Sequence, residues 1–382
     1  MLAEDRMNFN QIVGNNELKD ALRRRVNDSK IPHAQLFLGP QGSGSLKLAL
    51  AFIAYLLCEN KTEQDSCGSC KACVKNAKLI HPDVHFSFPV ISAKAPSKSL
   101  SSNHIETFRT QVLTHPDMIY SDWMTAIQAE NKQGNISRDE VRAIISGLSL
   151  KPFEAKSKIL LMWLPEYLGK EGNALLKLLE EPPANTYFIL VAENLDHLLP
   201  TIISRVQITK VKALSIGEVE EALSNLDMEP VHRRNVAFLS QGNLNEAYKL
   251  MDNTDHTFTD SFRDWMRMSF QSKQLDIMKW SDEAGSKGRE NIKAFLSFCL
   301  ALLRECLAYK TIDDYQIRLG EHDEEFIKNF SKAVKIVNIE TLYTEINKTI
   351  GEIERNANPK ITFLNLSNQI AQSFRETRVK SN

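Results

Sequence analysis

The sequence predicts an α/β protein whose parallel sheet carries a phosphate-loop-type turn, followed by parts that are entirely helical. Three observations lead to this prediction. Over residues 36–50 a short apolar run, a glycine-rich turn and an apolar helix follow one another, in the order of a strand, a phosphate-binding loop and a helix. Residues 158–164 and 187–192 have the composition of buried parallel strands. From about Phe258 onward, helical periodicity dominates.

Composition limits the classes of protein to which the chain can belong. With 382 residues, 42% hydrophobic and 25% charged, the chain has the composition of a globular protein of two or three domains. The formal net charge of −1 means that any nucleic-acid contact depends on a local basic patch. The longest apolar run is interrupted by charges, so we predict no membrane span. The acidic N-terminus lacks an apolar signal core, which favours the cytoplasm.

The glycine-rich turn has the spacing of a phosphate-binding loop but not its chemistry. Gly39 and Gly44 stand at the two glycine positions, with Gly42 between them, and the next two residues should be Lys and Ser or Thr. This chain has Ser45 and Leu46 there. The missing lysine would contact the β- and γ-phosphates and the missing hydroxyl would hold Mg²⁺. The loop keeps backbone N–H groups for at most a weak anion, so we expect this chain not to bind ATP.

A group of cysteines follows the helix after the loop, and predicts a structural Zn²⁺ site. Four thiolates with the spacing C-x8-C-x2-C-x2-C suit a closed tetrahedral site. An iron–sulfur cluster is one alternative, but the ferredoxin pattern needs a further Cys-Pro just downstream, which is absent here. Thiols without metal are the other alternative. His81 and His85 are close in sequence, but four cysteines already complete a zinc site. The predicted ligands are Cys58, Cys67, Cys70 and Cys73.

A second catalytic element of phosphate-loop ATPases is also missing. In such enzymes the strand equivalent to residues 158–164 ends in Asp-Glu, where the Asp holds Mg²⁺ and the Glu activates water. Here Trp163 and Leu164 occupy those positions. Glu166 lies nearby, but it follows Pro165 and is out of register for a catalytic base. Two independent losses therefore predict a nucleotide-binding scaffold without hydrolysis.

Three runs of sequence resemble the clamp-loader family of AAA+ proteins. They are NALLKLLEEPP at 173–183, FILVAEN at 188–194 and LLPTIISRVQ at 198–207. Together with the inserted cysteine module they resemble the bacterial branch, over most of residues 8–250 and more loosely beyond. The resemblance implies an AAA+ domain over 1–208, with a zinc module at 58–75 inserted in it. It also implies a small helical lid over 209–255 and an all-α collar over 256–382 that holds subunits in a ring.

The resemblance also assigns a role to one arginine. Ser204-Arg205 corresponds to the family's Ser-Arg-Cys motif, whose arginine reaches a neighbouring subunit's ATP, although Val206 replaces the cysteine. The alternative is an arginine at a strand end in a surface ion pair. In the segment that resembles the family's sensor-two helix, Asn245 stands where an arginine would contact nucleotide. This third loss agrees with the other two.

One helix offers a possible contact with duplex DNA. Ser137 and Glu140 form a capping-box pattern, and Arg138 and Arg142 lie four residues apart on one face. Clamp-loader helices of this kind follow the phosphate backbone. The alternative is a solvated basic edge paired with Asp139 or Glu140.

The resemblance implies a non-hydrolysing subunit of a DNA polymerase III clamp loader. Its implied partners are the gamma/tau and delta subunits, and, through the assembled complex, the sliding clamp and primed DNA. Two other functions remain open. An active ATPase subunit of the gamma/tau type would need the missing lysine, hydroxyl and acidic pair. A free-standing DNA-binding AAA+ module is disfavoured by the near-zero net charge and the collar-like C-terminal part.

Overall fold

The computed structural model describes residues 7–91, 100–129, 132–251, 257–286, 289–319, 321–354 and 357–379. The chain forms two compact units. Unit 1 contains the residues up to Ala222 together with Gly242–Glu246, and unit 2 contains Leu223–Gln241 and the residues from Ala247 on. The predicted functional boundaries at 208 and 255 stay predictions.

A five-stranded parallel sheet forms the centre of unit 1, as the sequence predicted. The strand order is β2-β3-β4-β1-β5, so the strand before the phosphate loop pairs with β4 on one side and β5 on the other. The strands are β1 (Ala34–Leu38), β2 (Val84–Ser87), β3 (Lys158–Trp163), β4 (Thr186–Ala192) and β5 (Gln207–Lys210). Because all strands are parallel, their carboxyl ends lie along one edge of the sheet, where ligands of such folds bind.

Helices cover both faces of this sheet. On one face Phe37 packs against Phe52 and Ile159, and on the other Leu36 packs with Ile144 and Leu160, because successive side chains of a strand point to opposite faces. The helices are α1 (Asn16–Asn27), α2 (Ser45–Leu57), α3 (Lys71–Ala77), α4 (Ile105–Thr114), α5 (Tyr120–Ala126), α6 (Arg138–Ser149), α7 (Leu176–Glu180), α8 (Pro200–Ile203) and α9 (Ile216–Ala222). Short 3₁₀ segments are Phe9–Gln11, Ser101–His104, Pro165–Leu175 and Leu195–His197.

The chain departs from the predicted pattern after β3. The strand ends at Trp163 rather than Leu164, which has a left-handed backbone (φ 57°). A 3₁₀ segment, Pro165–Leu175, interrupted at Gly169 (φ 53°), then precedes the short α7 that ends before the double proline. Pro165 cannot continue a strand ladder because it lacks an N–H. The backbone therefore turns sharply at the position where an ATPase would carry its acidic pair.

Unit 2 is helical in its described residues, as predicted. An aromatic core stabilises it: the Trp265 and Trp280 rings stack with centroids 4.9 Å apart, and Trp265 Nε1 donates to Ser367 Oγ at 2.8 Å. No described helix is long and apolar enough to cross a bilayer. The helices beyond α9 are α10 (Pro230–Leu239), α11 (Leu244–Met251), which starts in unit 1, α12 (Thr257–Gln271), α13 (Gln274–Ser286), α14 (Arg289–Thr311), α15 (Glu321–Ala333), α16 (Ile336–Glu354) and α17 (Pro359–Val379).

Candidate functional site

The glycine-rich turn keeps the backbone shape of a phosphate-binding loop between β1 and α2. Gly42 (φ 68°) and Gly44 (φ 78°) are both left-handed, a conformation that glycine adopts without strain. Gly44 immediately precedes Ser45, the first residue of α2, so the free N–H groups of the helix begin at the loop. The loop geometry has therefore survived the loss of its catalytic side chains.

The two residues after Gly44 are both turned into the protein. The hydroxyl oxygens of Ser43 and Ser45 lie 2.8 Å apart and bond to each other, and both residues are buried. Leu46 is buried in the same apolar core as Phe37 and Phe52. Neither Ser45 nor Leu46 therefore presents a charge or a free hydroxyl to a phosphate.

A segment from later in the chain lies directly on the loop. Leu244 N donates to Gly42 O at 3.1 Å. A Cβ added at Gly42 would lie only 1.7 Å from Asn243 Oδ1, so the asparagine side chain leaves no room above this glycine. Asn245, at the position of the expected sensor arginine, donates to Asp122 Oδ2 at 2.6 Å. The segment thus contacts the loop through the neutral Asn243 side chain and the Leu244 N–H, whereas Asn245 bonds to Asp122.

One carboxylate, Glu193, borders the loop just after β4, and a second, Glu166, binds the backbone beside Glu193. Gln41 Nε2 donates to Glu193 Oε2 at 2.9 Å. Burial raises the pKa of Glu193 to about 7, with the Gln41 bond opposing the rise and the charge of Glu166 adding to it. Glu166 Oε1 accepts from Asn194 N at 3.0 Å and also from Glu193 N. Glu166 is therefore engaged with backbone N–H groups at the end of β4, which does not suit a catalytic base.

A third carboxylate lies beside the start of α2. Asp117 is only 6% exposed, and neither of its oxygens has a hydrogen-bond partner among the described residues. A Cβ added at Gly44 would lie 3.8 Å from Asp117 Oδ1. Burial raises the pKa of this carboxyl, and the charge of Lys47 partly opposes the rise. Carboxyl groups thus border both Gln41 and Gly44, which disfavours a polyphosphate at this loop.

Apolar side chains occupy the positions of the ATPase acidic pair. Trp163 and Leu164 are 3% and 1% exposed and belong to the core of unit 1. The Trp163 ring lies 5.9 Å from that of Phe108. Neither residue can therefore act as a ligand for Mg²⁺ at the end of β3.

The structure brings the four predicted metal ligands together. The Sγ atoms of Cys58, Cys67, Cys70 and Cys73 all lie within 4.8 Å of one another. Zn–S bonds of 2.3 Å in a tetrahedron place sulfurs about 3.8 Å apart, close to the 3.9 Å between Cys67 and Cys73. Backbone N–H groups also point at the sulfurs: Cys67 N lies 3.2 Å from Cys58 Sγ, and Cys70 N lies 3.3 Å from Cys67 Sγ. Such donors stabilise thiolates, the form that binds metal, so the cluster fits zinc.

The thiol acidities differ across the cluster. Burial raises the pKa of Cys58 and of Cys73. Burial also acts on Cys67, but the backbone N–H groups of Ser69 and Cys70 outweigh it and lower the pKa of Cys67 to about 6. The thiol of Cys67 is therefore more acidic than the thiols of Cys58 and Cys73.

Of the two nearby histidines, His81 is engaged with Asp83 and Glu154 rather than with the cysteines. His81 Nδ1 lies 3.2 Å from Asp83 N, and His81 Nε2 lies 3.5 Å from Glu154 Oε1. Burial lowers the pKa of His81 and of His85. The metal-ligand group found among the described residues contains the four cysteines and neither histidine.

Arg205 lies in the turn between α8 and β5, with its side chain 31% exposed. Its Nε donates to Glu180 Oε1 at 2.6 Å, and its Nη2 belongs to the same ion pair. Its Nη1 donates to Thr201 O at 2.8 Å and to Ser204 Oγ at 3.1 Å. The guanidinium is therefore held in one orientation at the surface, and the surface ion pair considered from the sequence is present.

The candidate DNA-contacting helix begins as predicted. The Ser137 side chain accepts from Glu140 N at 3.2 Å, while Glu140 is buried and accepts from Ser101 N at 2.8 Å. Arg142, 63% exposed, pairs with Asp139 at 3.1 Å. Arg138 is the first residue of α6 and is exposed. Of the two acidic partners considered for this edge, Asp139 pairs with Arg142, whereas Glu140 points into the protein.

Sequence reasoning missed the groups that border the loop from other parts of the chain: Asp117, Glu193 and Asn243. Asp117 lies in a stretch without a recognisable pattern, so no signal marked it. Asn243 lies within the segment that resembles the sensor-two helix, just before α11. The glutamate after β4 stands at a strand end, which is where site residues of parallel sheets occur. That position was the available signal for Glu193.

Comparison with known proteins gives a consistent assignment. The family model described as "DNA polymerase III, delta subunit" matches residues 14–215, more than half of the chain. The delta' subunit of DNA polymerase III from Bacillus subtilis is 26% identical over 236 residues, which cover 61% of this chain and 58% of the relative. The tau subunit from the same organism is 23% identical, with 93% of this chain and 60% of the relative covered. The gamma subunit from Buchnera aphidicola is 24% identical, with 64% of this chain and 58% of the relative covered.

The chain thus spans about 60% of the length of these curated relatives. A DNA polymerase III gamma subunit-related protein from Thermotoga maritima superposes with a TM-score of 0.35 at 16% identity, over 94% of this chain and 99% of that one. That structural similarity is too low to support an assignment. The family match instead covers the region that contains the sheet, the degenerate phosphate loop, the cysteine cluster and Arg205. The chain belongs to the DNA polymerase III delta-subunit family of clamp-loader proteins.

Proposed function

We propose that this chain is the delta-prime-type subunit of a bacterial DNA polymerase III clamp loader. It does not hydrolyse ATP itself, and it works in the cytoplasm as a component of the polymerase holoenzyme. It assembles with the gamma/tau and delta subunits, braces the complex that opens the sliding clamp on primed DNA, and supplies Arg205 to the ATP site of a neighbouring subunit. Zinc bound by the four cysteines stabilises the module at residues 58–75.

The state of the phosphate loop is the observation that carries this proposal. The loop keeps its left-handed glycines, yet Ser45 is bonded to Ser43 and Leu46 is in the core. Asn243 fills the space above Gly42. An ATP molecule would have to accept the carboxyl groups of Glu193 and Asp117 near its phosphates, without a lysine at position 45 to compensate. Placing phosphates beside these carboxyl groups without a compensating positive charge makes the free energy of ATP binding less favourable.

An active ATPase subunit of the gamma/tau type is the alternative, because relatives with those names match this chain at similar identity. That alternative needs Mg²⁺ ligands at the end of β3. Trp163 and Leu164, both buried, support the non-hydrolysing assignment instead.

Arg205 is the residue of this chain that we assign to catalysis in the neighbouring site. A guanidinium is always charged and presents planar pairs of N–H groups that match phosphate oxygens. It stabilises the charge that develops during phosphoryl transfer, and it needs no nucleotide in its own chain. A clamp-loader subunit with a closed phosphate loop therefore still has a reason to keep this arginine.

The test is the ATPase activity of the reconstituted loader. Arg205→Ala should leave assembly intact, because the side chain lies at the surface, and should lower clamp- and DNA-stimulated hydrolysis by at least about tenfold at the site that faces this subunit. Arg205→Lys should be nearly as damaging, since a point charge cannot replace the planar fork.

The matched control is Arg24→Ala, which removes the same charge from an exposed position on α1. It should leave the rate unchanged. Wild-type hydrolysis and clamp loading by the Arg205→Ala complex would refute the role in trans.

A further inference from the structure

Among the described residues, Arg205 has one charged partner, Glu180. Its Nε and Nη2 both engage Glu180 Oε1, whereas its Nη1 donates to neutral oxygens, Thr201 O and Ser204 Oγ. A hydrogen bond to an ionised group is roughly twice as strong as a neutral one. The carboxylate therefore sets the orientation of the guanidinium, and the neutral bonds on Nη1 are the ones most readily exchanged for phosphate oxygens.

The position of Glu180 is itself fixed by the backbone. Glu180 is the last residue of α7, and the helix ends there because Pro182 disfavours helical geometry at Glu181. Glu181, the C-cap residue, has φ −125° and ψ 73°, outside the helix. Of the two adjacent glutamates at this helix end, Glu180 makes the ion pair with Arg205.

We propose that Glu180 is a positioning residue for Arg205: it holds the guanidinium ready for the neighbouring subunit's ATP. This inference rests on the function in trans proposed above. An unrestrained arginine has four flexible side-chain torsions and loses that freedom when it binds phosphate. With Glu180 in place, part of that entropy has been lost before the subunits meet. The carboxylate stays on Nε and Nη2, while phosphate oxygens replace Thr201 O and Ser204 Oγ as the acceptors of Nη1.

This assignment predicts a specific kinetic effect in the reconstituted loader. Glu180→Ala should lower the stimulated kcat about fivefold to tenfold, a range set by the rotamer freedom of one arginine. The KM for ATP should not change, because the nucleotide pocket itself lies in the neighbouring subunit. Glu180→Gln keeps an acceptor oxygen at the same distance and should retain an intermediate rate.

Two comparisons separate positioning from a structural effect. Glu181→Gln removes the same charge one residue further on, at an exposed position, and should hydrolyse ATP like the wild type. In an Arg205→Ala background, Glu180→Ala should cause no further decrease in rate, because a positioning residue has nothing left to position.

The outcomes distinguish this inference from the function on which it rests. If Arg205→Ala has no effect, the role in trans is wrong. If Arg205→Ala lowers the rate but Glu180→Ala does not, or raises it, only the positioning role is overturned. A further decrease caused by Glu180→Ala in the Arg205→Ala background would also overturn it, since Glu180 would then act by another route.

Discussion

Glu193 offers a direct physical test of whether the phosphate loop is closed by its own chain. Its carboxyl accepts a hydrogen bond from Gln41 of the loop, and burial raises its pKa from 4.5 to about 7. At about 1.4 kcal/mol for each pKa unit, ionised Glu193 costs the folded state about 3 kcal/mol. The full amount applies only when the carboxyl is ionised in both the folded and the unfolded chain.

The sign of the pH dependence follows from the raised pKa. Between about pH 4.5 and 7 the folded state holds a proton on Glu193 that the unfolded chain has released. The free energy of unfolding therefore falls as the pH rises through this window. Glu193→Gln keeps an acceptor for Gln41 and removes the ionisation, so it should stabilise the protein by about 1–3 kcal/mol at pH 8 and change little at pH 4.5.

The measurement is a series of thermal or urea unfolding curves from pH 4.5 to 8. For a unit of this size, 1 kcal/mol corresponds to about 2–4 °C in Tm, so the variant should gain several degrees at pH 8. Glu181→Gln removes an exposed carboxylate and should give curves parallel to those of the wild type. A Glu193→Gln difference that is independent of pH, or larger in acid, would refute the account of this site.

Three further predictions address the metal, the loop and the DNA contact. The purified protein should contain about one zinc per chain and no iron, and Cys70→Ser should speed amide hydrogen exchange across residues 58–75 more than in the sheet; iron, or no metal after careful purification, would count against the site. Ser45→Lys combined with Leu46→Thr should not create ATP hydrolysis, because the end of β3 still lacks acidic residues; turnover by the unmodified chain would overturn the whole assignment. Charge reversal at Arg138 and Arg142 should weaken loader binding to primed DNA and reduce the salt slope by about 0.9 for each phosphate that is no longer neutralised; an unchanged slope would remove the role of α6.

Local sequence was sufficient wherever the signal is carried by neighbouring residues. The strand, turn and helix around the glycine-rich loop were predictable because each depends on residues that are close in sequence. Short apolar runs favour the strand and the helix, and glycines allow the left-handed turn between them. The start of α9 is set by equally local contacts, because Ser215 and Glu218 each accept from the other's backbone N–H. The cysteine spacing predicted the thiol cluster, because ligands close in sequence have few ways to meet.

The tertiary structure decided what the loop now contacts. Asp117, Glu193 and Asn243 come from segments far apart in the chain, and only the parallel strand order and the return of residues 242–246 to unit 1 bring them to Gly42 and its neighbours. The same holds for Arg205, whose motif was visible in the sequence but whose ion pair with Glu180 depends on where α7 ends. The identity of the residue at each catalytic position can be read directly from the sequence. The groups that fill and orient the site are brought there by long-range packing, which local sequence patterns do not encode.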